Sequence, residues 1–530
     1  MLVLLVSSAS AQKFRRDDPI QRDPDMSVIP MPKELDDISM YVDFLSNTFS
    51  HHPDAHIPPA VNTNTLGEVP DSSWFTNRIS LHDLSLDEVV RGPNTGAGPD
   101  MTKPWTIIAA KSQGITPGFT ITDGRGDTYF IKFDPSRYPG LATSSEVVVT
   151  KFFYAFGYNV PTNYLARISR DKVVVGPNAK IRDESGVKRP MTEKDVDRIF
   201  ERVPVAEDET VQVVASFAIK GRVVGPFKYL GTRPDDPNDI FPHEHRRELR
   251  GLRLFAAWLN HDDSRSINTK DFYEGPDGQG FVRHYLIDFG SCLGSGSVRP
   301  QGRRAGNEYM FEWGPTLRSA LTLGIWDRSW RYTKYPDYPE IGRFEGDAFK
   351  PDQWRPEYPN AAFERMIDGD AFWACRIIAK FTDEMVRGLV STGEWKDPAA
   401  EQYLVQTLLK RRDKILGHYL GQLNPITDFA VVERNGRAIL TYANLGEKLG
   451  LGKAETYDYQ WSSFENGANS ASALGPVEIV GLPELEIPAS ASPYLLVRIK
   501  SHSPAHPGWQ KPVSVYLTGS PRRVVGIERD

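Results

Sequence analysis

The sequence has few cysteines and lacks a long hydrophobic run in its interior. Only Cys292 and Cys375 occur among its 530 residues, which excludes a cysteine-rich zinc site. A disulfide between the two is compatible with the sequence but is not required by it. No stretch after the N-terminal residues reaches the roughly 18 apolar residues of a membrane-spanning helix. We therefore expect no transmembrane segment.

An excess of basic residues is also lacking. The chain has 63 lysines and arginines against 69 aspartates and glutamates, which gives a formal net charge of −6. Proteins that bind nucleic acids usually carry a basic patch or stripe, so we expect no nucleic-acid partner. With 40% hydrophobic residues, the chain can bury large cores, and its length predicts roughly two to four domains.

The chain begins with a short apolar run, "MLVLLVSSASAQ". The run ends in Ala9, Ser10 and Ala11 before Gln12, which is typical of the cleavage site of a secretory signal peptide. We predict a signal peptide over residues 1–11 and a secreted or periplasmic protein. No cysteine follows the run, so a lipoprotein anchor is not expected. The alternative interpretation is a frayed apolar N-terminus.

The hydrophobic pattern divides the remaining chain into four segments. Residues 12–104 are polar and proline-rich, as in an arm that packs on the next unit. Residues 105–230 hold short alternating runs between glycine turns ("WTIIAAKSQG", "GFTITDG", "TYFIKFD"), then a helix pattern and a further strand. Residues 231–422 are helical, with one buried face predicted for "HEHRRELRGLRLFAAWLN" and a solvated face for the run "KRRDK". Residues 423–530 return to strand patterns and predict a small all-β sandwich-like domain.

Two polar motifs in the middle of the chain contain side chains that suit phosphoryl transfer. "HDDSRSINT" contains Asp263 and Asn268, and "HYLIDFG" contains Asp288 at the end of a predicted strand. A phosphoryl-transfer site must orient a hydroxyl nucleophile and hold Mg²⁺ against phosphate oxygens. Mg²⁺ prefers hard oxygen ligands and keeps several waters, so one or two side-chain oxygens suffice. We predict that the two motifs share one metal.

A nucleotide site also needs a cation for the phosphates. Lys132 lies in the strand pattern "TYFIKFD", and Glu146 in the following helix could hold its ammonium group. Gly114 and Gly118 lie in a predicted turn between strands, where the bare backbone could approach phosphates. Two alternatives remain open from the sequence: Lys132 as an ordinary edge-strand lysine, and Glu146 as the acidic partner in a helix capping box.

In their order along the chain, these residues resemble the motifs of protein kinases. The stretch from His261 to Asn268 has the spacing of the catalytic loop, and "IDFG" at 287–290 looks like the metal-binding Asp-Phe-Gly motif. "GFTITDGRGDTYFIKFDP" and "SEVVVTKFFYAFGYNVP" resemble the atypical branch, which contains HipA-type kinases, type II phosphatidylinositol 4-kinases, spore-coat CotH kinases and secretory-pathway kinases. The resemblance covers roughly residues 105–420. A G-x-G-x-x-G loop is absent, and Asp262 replaces the usual arginine of the catalytic loop.

The resemblance implies an α+β fold with a two-lobed, kinase-like body, in which a β-rich N-lobe precedes a helical C-lobe. It implies that Asp263 is the catalytic base, that Asn268 and Asp288 bind Mg²⁺ or Mn²⁺, and that Lys132 holds the phosphates of ATP with Glu146 as its partner. The phosphoryl acceptor would be an unidentified protein, lipid or small molecule.

Two other functions are compatible with the same sequence. The kinase-like body could be a catalytically inactive scaffold that carries a binding module in residues 423–530. Alternatively, the same pocket could transfer AMP instead of phosphate. Nucleotide binding that depends on a metal would separate an enzyme from a scaffold, and the mass of a modified acceptor would separate the two transfers.

Overall fold

The computed structural model describes residues 12–35, 38–49, 56–111, 118–182, 187–312, 314, 317, 318, 321 and 328–529. It is a mixed α and β structure with several sheets. The predicted signal peptide over residues 1–11 and the predicted phosphate-binding Gly114 lie outside the described residues. In the described part of the chain, no helix is long and apolar enough to span a bilayer.

The helices of the described residues are α1 (Ile38–Phe49), α2 (Leu86–Arg91), α3 (Leu141–Phe156), α4 (Glu193–Phe200), α5 (Arg247–Leu259), α6 (Ala361–Glu364), α7 (Asp368–Ala379), α8 (Asp383–Ser391), α9 (Pro398–Gln422) and α10 (Leu445–Lys448).

The strands are β1 (Trp105–Ala110), β2 (Gly118–Thr122), β3 (Thr128–Phe133), β4 (Asn163–Ser169), β5 (Val173–Val175), β6 (Lys180–Arg182), β7 (Lys188–Pro190), β8 (Thr210–Phe217), β9 (Arg222–Gly225), β10 (Thr269–Glu274), β11 (Phe281–Leu286), β12 (Ile426–Arg434), β13 (Arg437–Asn444), β14 (Thr456–Glu465), β15 (Ser470–Ala473), β16 (Glu478–Val480), β17 (Glu484–Glu486), β18 (Tyr494–His502), β19 (Val513–Thr518) and β20 (Arg523–Arg529).

The first sheet has six strands in the order β4-β8-β3-β2-β1-β5. The predicted meander is confirmed, because β1, β2 and β3 pair antiparallel in sequence order. Alternation along the strands buries Ile131 and Phe133 on one face, where the Phe133 ring meets Phe200 of α4 at 5.8 Å between centroids. The opposite face of β3 carries Lys132, so the period of two along the strand separates the core from the polar side.

Helix α5 differs from its predicted pattern. Instead of one buried face, every residue of α5 except Arg253 is buried. The polar side is covered because Arg247 and Arg250 form ion pairs with Asp370 of α7, at 3.0 and 3.4 Å. Burial of charged side chains is tolerated where each has a charged partner. Helix α5 can therefore be buried on its polar side as well as on its apolar side.

One residue of the basic run at 410–414 of α9, Arg411, differs from prediction. We expected a solvated face, but Arg411 is only 4% exposed. Its guanidinium donates to the Glu345 carbonyl at 3.0 Å and lies 3.8 Å from the centroid of the Phe349 ring. Burial lowers the pKa of Arg411 to about 9. Arg411 therefore anchors α9 to the protein interior, while Lys410 and Asp413 of the same run are exposed.

Residues after α9 form two sheets whose apolar side chains share one cluster. One sheet has the order β12-β13-β17, and the other has the order β15-β14-β18-β19-β20 with β16 also on β14. Trp509 Nε1 donates to the Leu420 carbonyl of α9 at 2.8 Å, which connects these sheets to the helices.

The N-terminal arm is held by long-range contacts and contains α1, a helix that the sequence pattern did not predict. Phe14 is 2% exposed and packs against Phe464, Tyr494 and Tyr516 of the C-terminal sheets, at 6.0, 5.9 and 5.0 Å between ring centroids. Phe14 therefore packs the start of the described chain against the C-terminal sheets.

Both cysteines are free thiols in buried positions. Burial raises the pKa of Cys292 and of Cys375. They do not form a disulfide.

Candidate functional site

A β-hairpin brings the two polar motifs together. The first motif leads into β10 and the second follows β11, and these strands pair antiparallel with Thr269 opposite Leu286. The glycine-rich stretch "EGPDGQG" turns the chain between them, as predicted. Ile287 N then donates to the Asn268 carbonyl at 3.0 Å. Both motifs therefore lie at the same end of one hairpin.

The first motif is a loop that begins at the C-terminus of α5. Asn260 ends the helix in the left-handed conformation, with φ of 51°, which asparagine tolerates better than most residues. Within the loop, Asn268 Nδ2 donates to the Asp263 carbonyl at 2.7 Å. This bond closes the loop and fixes the orientation of the Asn268 amide, so its Oδ1 remains as an acceptor.

The Asp263 carboxylate has a basic partner within its own loop. It forms an ion pair with Arg265, whose guanidinium also contacts Glu357 at 2.6 Å. Ser291 Oγ, from just after the second motif, donates to Asp263 Oδ2 at 3.4 Å. Burial raises the pKa of Asp263, and Arg265 opposes that effect. Asp263 is therefore a partly desolvated carboxylate with a shared cation.

The two residues before Asp263 are structural in their contacts. His261 is buried, with its ring 5.8 Å from Phe153 and 5.6 Å from Phe289 between centroids. Burial lowers the pKa of His261 to about 4, so the imidazole is neutral near pH 7. Asp262 accepts from Gln301 Nε2 at 2.7 Å, which agrees with a supporting position for this acid.

The second motif presents Asp288 on a strained turn. Asp288 has φ of 64° and ψ of 62°, in the left-handed region. Its side chain is 51% exposed and accepts from Lys132 Nζ at 2.9 Å. Lys132 lowers the pKa of Asp288, so this carboxylate is ionised near neutral pH. The turn directs the side chain away from the hairpin and toward the first sheet.

Lys132 contacts a second carboxylate, Glu146 of α3, at 3.0 Å. Glu146 is 2% exposed and also accepts from Asn163 Nδ2 at 3.3 Å. The capping-box alternative for Glu146 is wrong, because α3 begins after Gly140 and Thr143 lies inside the helix. Thr143 Oγ1 donates instead to Asp134 at 2.6 Å. Burial is the largest single effect on the pKa of Lys132 and lowers it. The two carboxylates together outweigh burial, so the pKa of Lys132 is raised.

Aromatic and hydroxyl contacts hold α3 against the second motif. The Phe289 and Phe153 rings stack with centroids 4.7 Å apart. Ser145 Oγ donates to the carbonyls of Phe289 and Cys292 at 3.3 and 2.9 Å. A side chain at Gly290 would place a Cβ 3.1 Å from Glu146 Oε2. The close approach of these backbones puts Glu146 and Asp288 on one lysine.

Gly118, which was predicted to lie in a turn, is the first residue of β2 and lies beside the same lysine. It pairs with Lys132 across β2 and β3, and a Cβ at this position would lie 2.3 Å from the Ile131 carbonyl oxygen. Only glycine fits that space without a backbone shift.

A pocket is lined by Lys132, Glu146, Asp288 and their neighbours Phe133, Ala142, Thr143, Val214, Gly290 and Ser297.

The structure thus joins the predicted residues in two groups. Lys132, Glu146 and Asp288 are in direct contact, and Asp263 contacts Asn268 within its loop. Backbone and hydroxyl bonds at the hairpin end connect the groups. The sequence patterns missed Arg265, although its position two residues after Asp263 is a local signal for an ion pair.

No protein-family model matches the chain, and no curated protein matches it. Among solved structures, the chain is similar to the crystal structure of CtkA, a proinflammatory kinase of Helicobacter pylori. The match has 12% sequence identity and a TM-score of 0.32, and it covers 61% of this chain and 98% of that chain. Similarity at this level carries no conclusion about activity.

Proposed function

We propose that the chain is a kinase-like phosphotransferase that uses ATP and a divalent metal. The observation that carries the proposal is the contact of Lys132 with both Glu146 and Asp288, beside a loop that contains Asp263 and Asn268. In this proposal Asp263 is the catalytic base, Lys132 binds the phosphates and Glu146 positions Lys132. Asn268 and Asp288 bind the metal.

The side chains present suit Mg²⁺ or Mn²⁺. Asp288 offers a half-exposed, ionised carboxylate, and Asn268 offers the amide oxygen that remains after its nitrogen is used. The described residues contain no group of three His, Cys, Asp or Glu side chains that could hold a metal. Mg²⁺ commonly binds through one or two side chains plus substrate phosphates, which fits this pair. When bound, the metal would neutralise charge on the phosphates.

The protein's own residues would orient and deprotonate the acceptor. Burial raises the pKa of Asp263, which makes its carboxylate a stronger base for an acceptor hydroxyl. Arg265 shares its charge between Asp263 and Glu357 and keeps the carboxylate oriented. Lys132 would exchange its contact with Asp288 for a phosphate oxygen when a metal occupies that carboxylate. The acceptor is a protein, lipid or small molecule.

We also propose that the mature protein is secreted or periplasmic, on the basis of the signal-like residues 1–11. Export favours a second candidate function, because ATP is scarce outside most cells. The segment between β15 and β17 exposes four large apolar side chains close together in sequence, at 45–68% exposure: Leu474, Val477, Ile479 and Leu482. Exposed apolar patches often mark binding surfaces, so an inactive scaffold with a C-terminal binding module is the alternative.

The test is ATP turnover with and without Mg²⁺ or Mn²⁺ in the purified protein and in Asp263→Asn. We expect metal-dependent turnover in the wild type. Asp263→Asn should abolish turnover but keep nucleotide binding, measured by thermal shift, because it removes the base and not the phosphate contacts. Equal turnover in the two proteins would refute the role of Asp263. Absence of any metal-dependent thermal shift with ATP would favour the scaffold, and mass spectrometry of a modified acceptor distinguishes phosphate from AMP transfer.

A further inference from the structure

Lys111 follows β1 and belongs to the same row across the sheet as Lys132. Lys111 N donates to the Gly118 carbonyl at 3.0 Å, which continues the β1–β2 pairing beyond Ala110 and Phe119. Gly118 in turn pairs with Lys132 on β3. Residues directly opposite one another in antiparallel strands project from the same face. Lys111 and Lys132 therefore project from one face, with only a glycine between them.

That glycine lets the two lysines share the space. A Cβ at Gly118 would lie 3.2 Å from Lys111 Cδ, so the Lys111 side chain extends across the bare backbone toward β3. Adjacent strands are about 4.8 Å apart. Lys111 therefore has to cross only the width of β2, where Gly118 has no side chain, to approach Lys132. The same Cβ is excluded by the Ile131 carbonyl, as described above. The sheet thus leaves room for a second cation over β2.

Lys111 interacts electrostatically with three residues of the candidate site. Burial lowers the pKa of Lys111, and Lys132 lowers it further, while Asp288 and Glu146 raise it. The face therefore brings two cations toward two carboxylates. If Asp288 binds a metal, Lys132 loses one of its two carboxylate partners, and the positive charge of both lysines then faces an anionic ligand. A ligand with several negative charges along a chain complements two lysines on neighbouring positions.

We propose that Lys111 is a second phosphate-binding residue and that it makes this site selective for ligands with a polyphosphate chain over nucleoside monophosphates. This inference rests on the proposed function in taking the Lys132 face as the phosphate side of a nucleotide site. It adds a residue and a ligand preference that the motif residues alone do not contain.

The test is calorimetric binding of Mg-ATP, Mg-ADP, AMP and inorganic tripolyphosphate to the full chain. Lys111→Gln removes the charge, Lys111→Arg retains it, and Lys103→Gln is a matched control because Lys103 is an exposed lysine just before the same strand. We expect Lys111→Gln to weaken ATP and tripolyphosphate about tenfold, which corresponds to about 1.4 kcal/mol. AMP binding should be unchanged, and Lys111→Arg and Lys103→Gln should bind like the wild type. Unliganded melting temperatures verify that each variant is folded.

The outcomes separate this inference from the proposed function. Unchanged tripolyphosphate affinity in Lys111→Gln would overturn the role of Lys111, even if the wild type transfers phosphate. An equal loss of affinity for AMP and ATP would overturn the polyphosphate preference. Tripolyphosphate binding that depends on Lys111, in a protein without turnover, would support the inference and contradict the transferase. If the wild type binds none of the four ligands, the inference is overturned together with the nucleotide site.

Discussion

Replacing Asp288 by asparagine tests the proposed metal site with little change to the fold. Asparagine has nearly the same shape as aspartate and tolerates the left-handed backbone at this position, where φ is 64°. The substitution removes one negative charge that now lies 2.9 Å from Lys132 Nζ. Asp288→Ala removes the same charge but places an ordinary side chain on a left-handed backbone, so the two variants differ chiefly in backbone strain.

The expected effects on stability and on turnover differ in size. Asp288 is 51% exposed and Lys132 keeps Glu146 as a partner, so solvent screening limits the lost ion pair to about 1 kcal/mol or less. The left-handed backbone should make Asp288→Ala less stable than Asp288→Asn by about 1–2 kcal/mol. Turnover should fall at least about a hundredfold in both, because charge stabilisation at the phosphates is lost.

The assay compares urea unfolding midpoints and metal-dependent ATP turnover for the wild type and the two variants. Turnover of Asp288→Asn equal to the wild type would refute the assignment of Asp288 to the metal. Equal stability of the asparagine and alanine variants would refute the argument from backbone conformation. Loss of turnover together with a large loss of stability in Asp288→Asn would indicate a structural role for this carboxylate.

Three further predictions follow from buried contacts. Glu146→Gln should lower turnover by up to about 10²-fold, measured with saturating ATP, because Lys132 loses the partner that positions it. Phe14→Ala should lower the free energy of unfolding by about 3 kcal/mol in urea titrations, because it leaves a cavity among three aromatic rings. Burial, and to a smaller extent the charge of Asp25, raises the pKa of Asp23 from 3.8 to about 6. A carboxyl group whose pKa is raised in the folded state stabilises the fold below about pH 4, and that stability is lost as the pH rises through about 6. Between about pH 4 and pH 7.5 the wild type should therefore lose about 2 kcal/mol that Asp23→Asn does not lose.

Each of these predictions has a contrary outcome. Full turnover in Glu146→Gln would show that Lys132 needs no buried partner. A Phe14→Ala variant as stable as the wild type would show that the arm does not fasten to the C-terminal sheets in solution. Parallel melting-temperature profiles against pH for Asp23→Asn and the wild type would contradict the raised pKa of Asp23.

Local patterns predicted the elements whose determinants are close in sequence. The alternating runs separated by glycines correctly predicted strands β1 to β3. The stretch "EGPDGQG" correctly predicted the turn between β10 and β11. The order of Lys132, Glu146, Asp263, Asn268 and Asp288 was also visible in the sequence. Failures occurred where a distant partner decides burial: α5 is buried on its polar side because Asp370 neutralises its arginines.

The sequence by itself determined the period of each strand, the turns and the types of side chain available for chemistry. These depend on interactions between residues a few positions apart. Only the tertiary structure decided between the two roles open for Glu146, since packing of α3 against β3 and the second motif brings it to Lys132. Likewise, Lys111 joins Lys132 only through strand register. Register and helix packing arise from contacts between distant segments, and each choice depends on partners that no local pattern specifies.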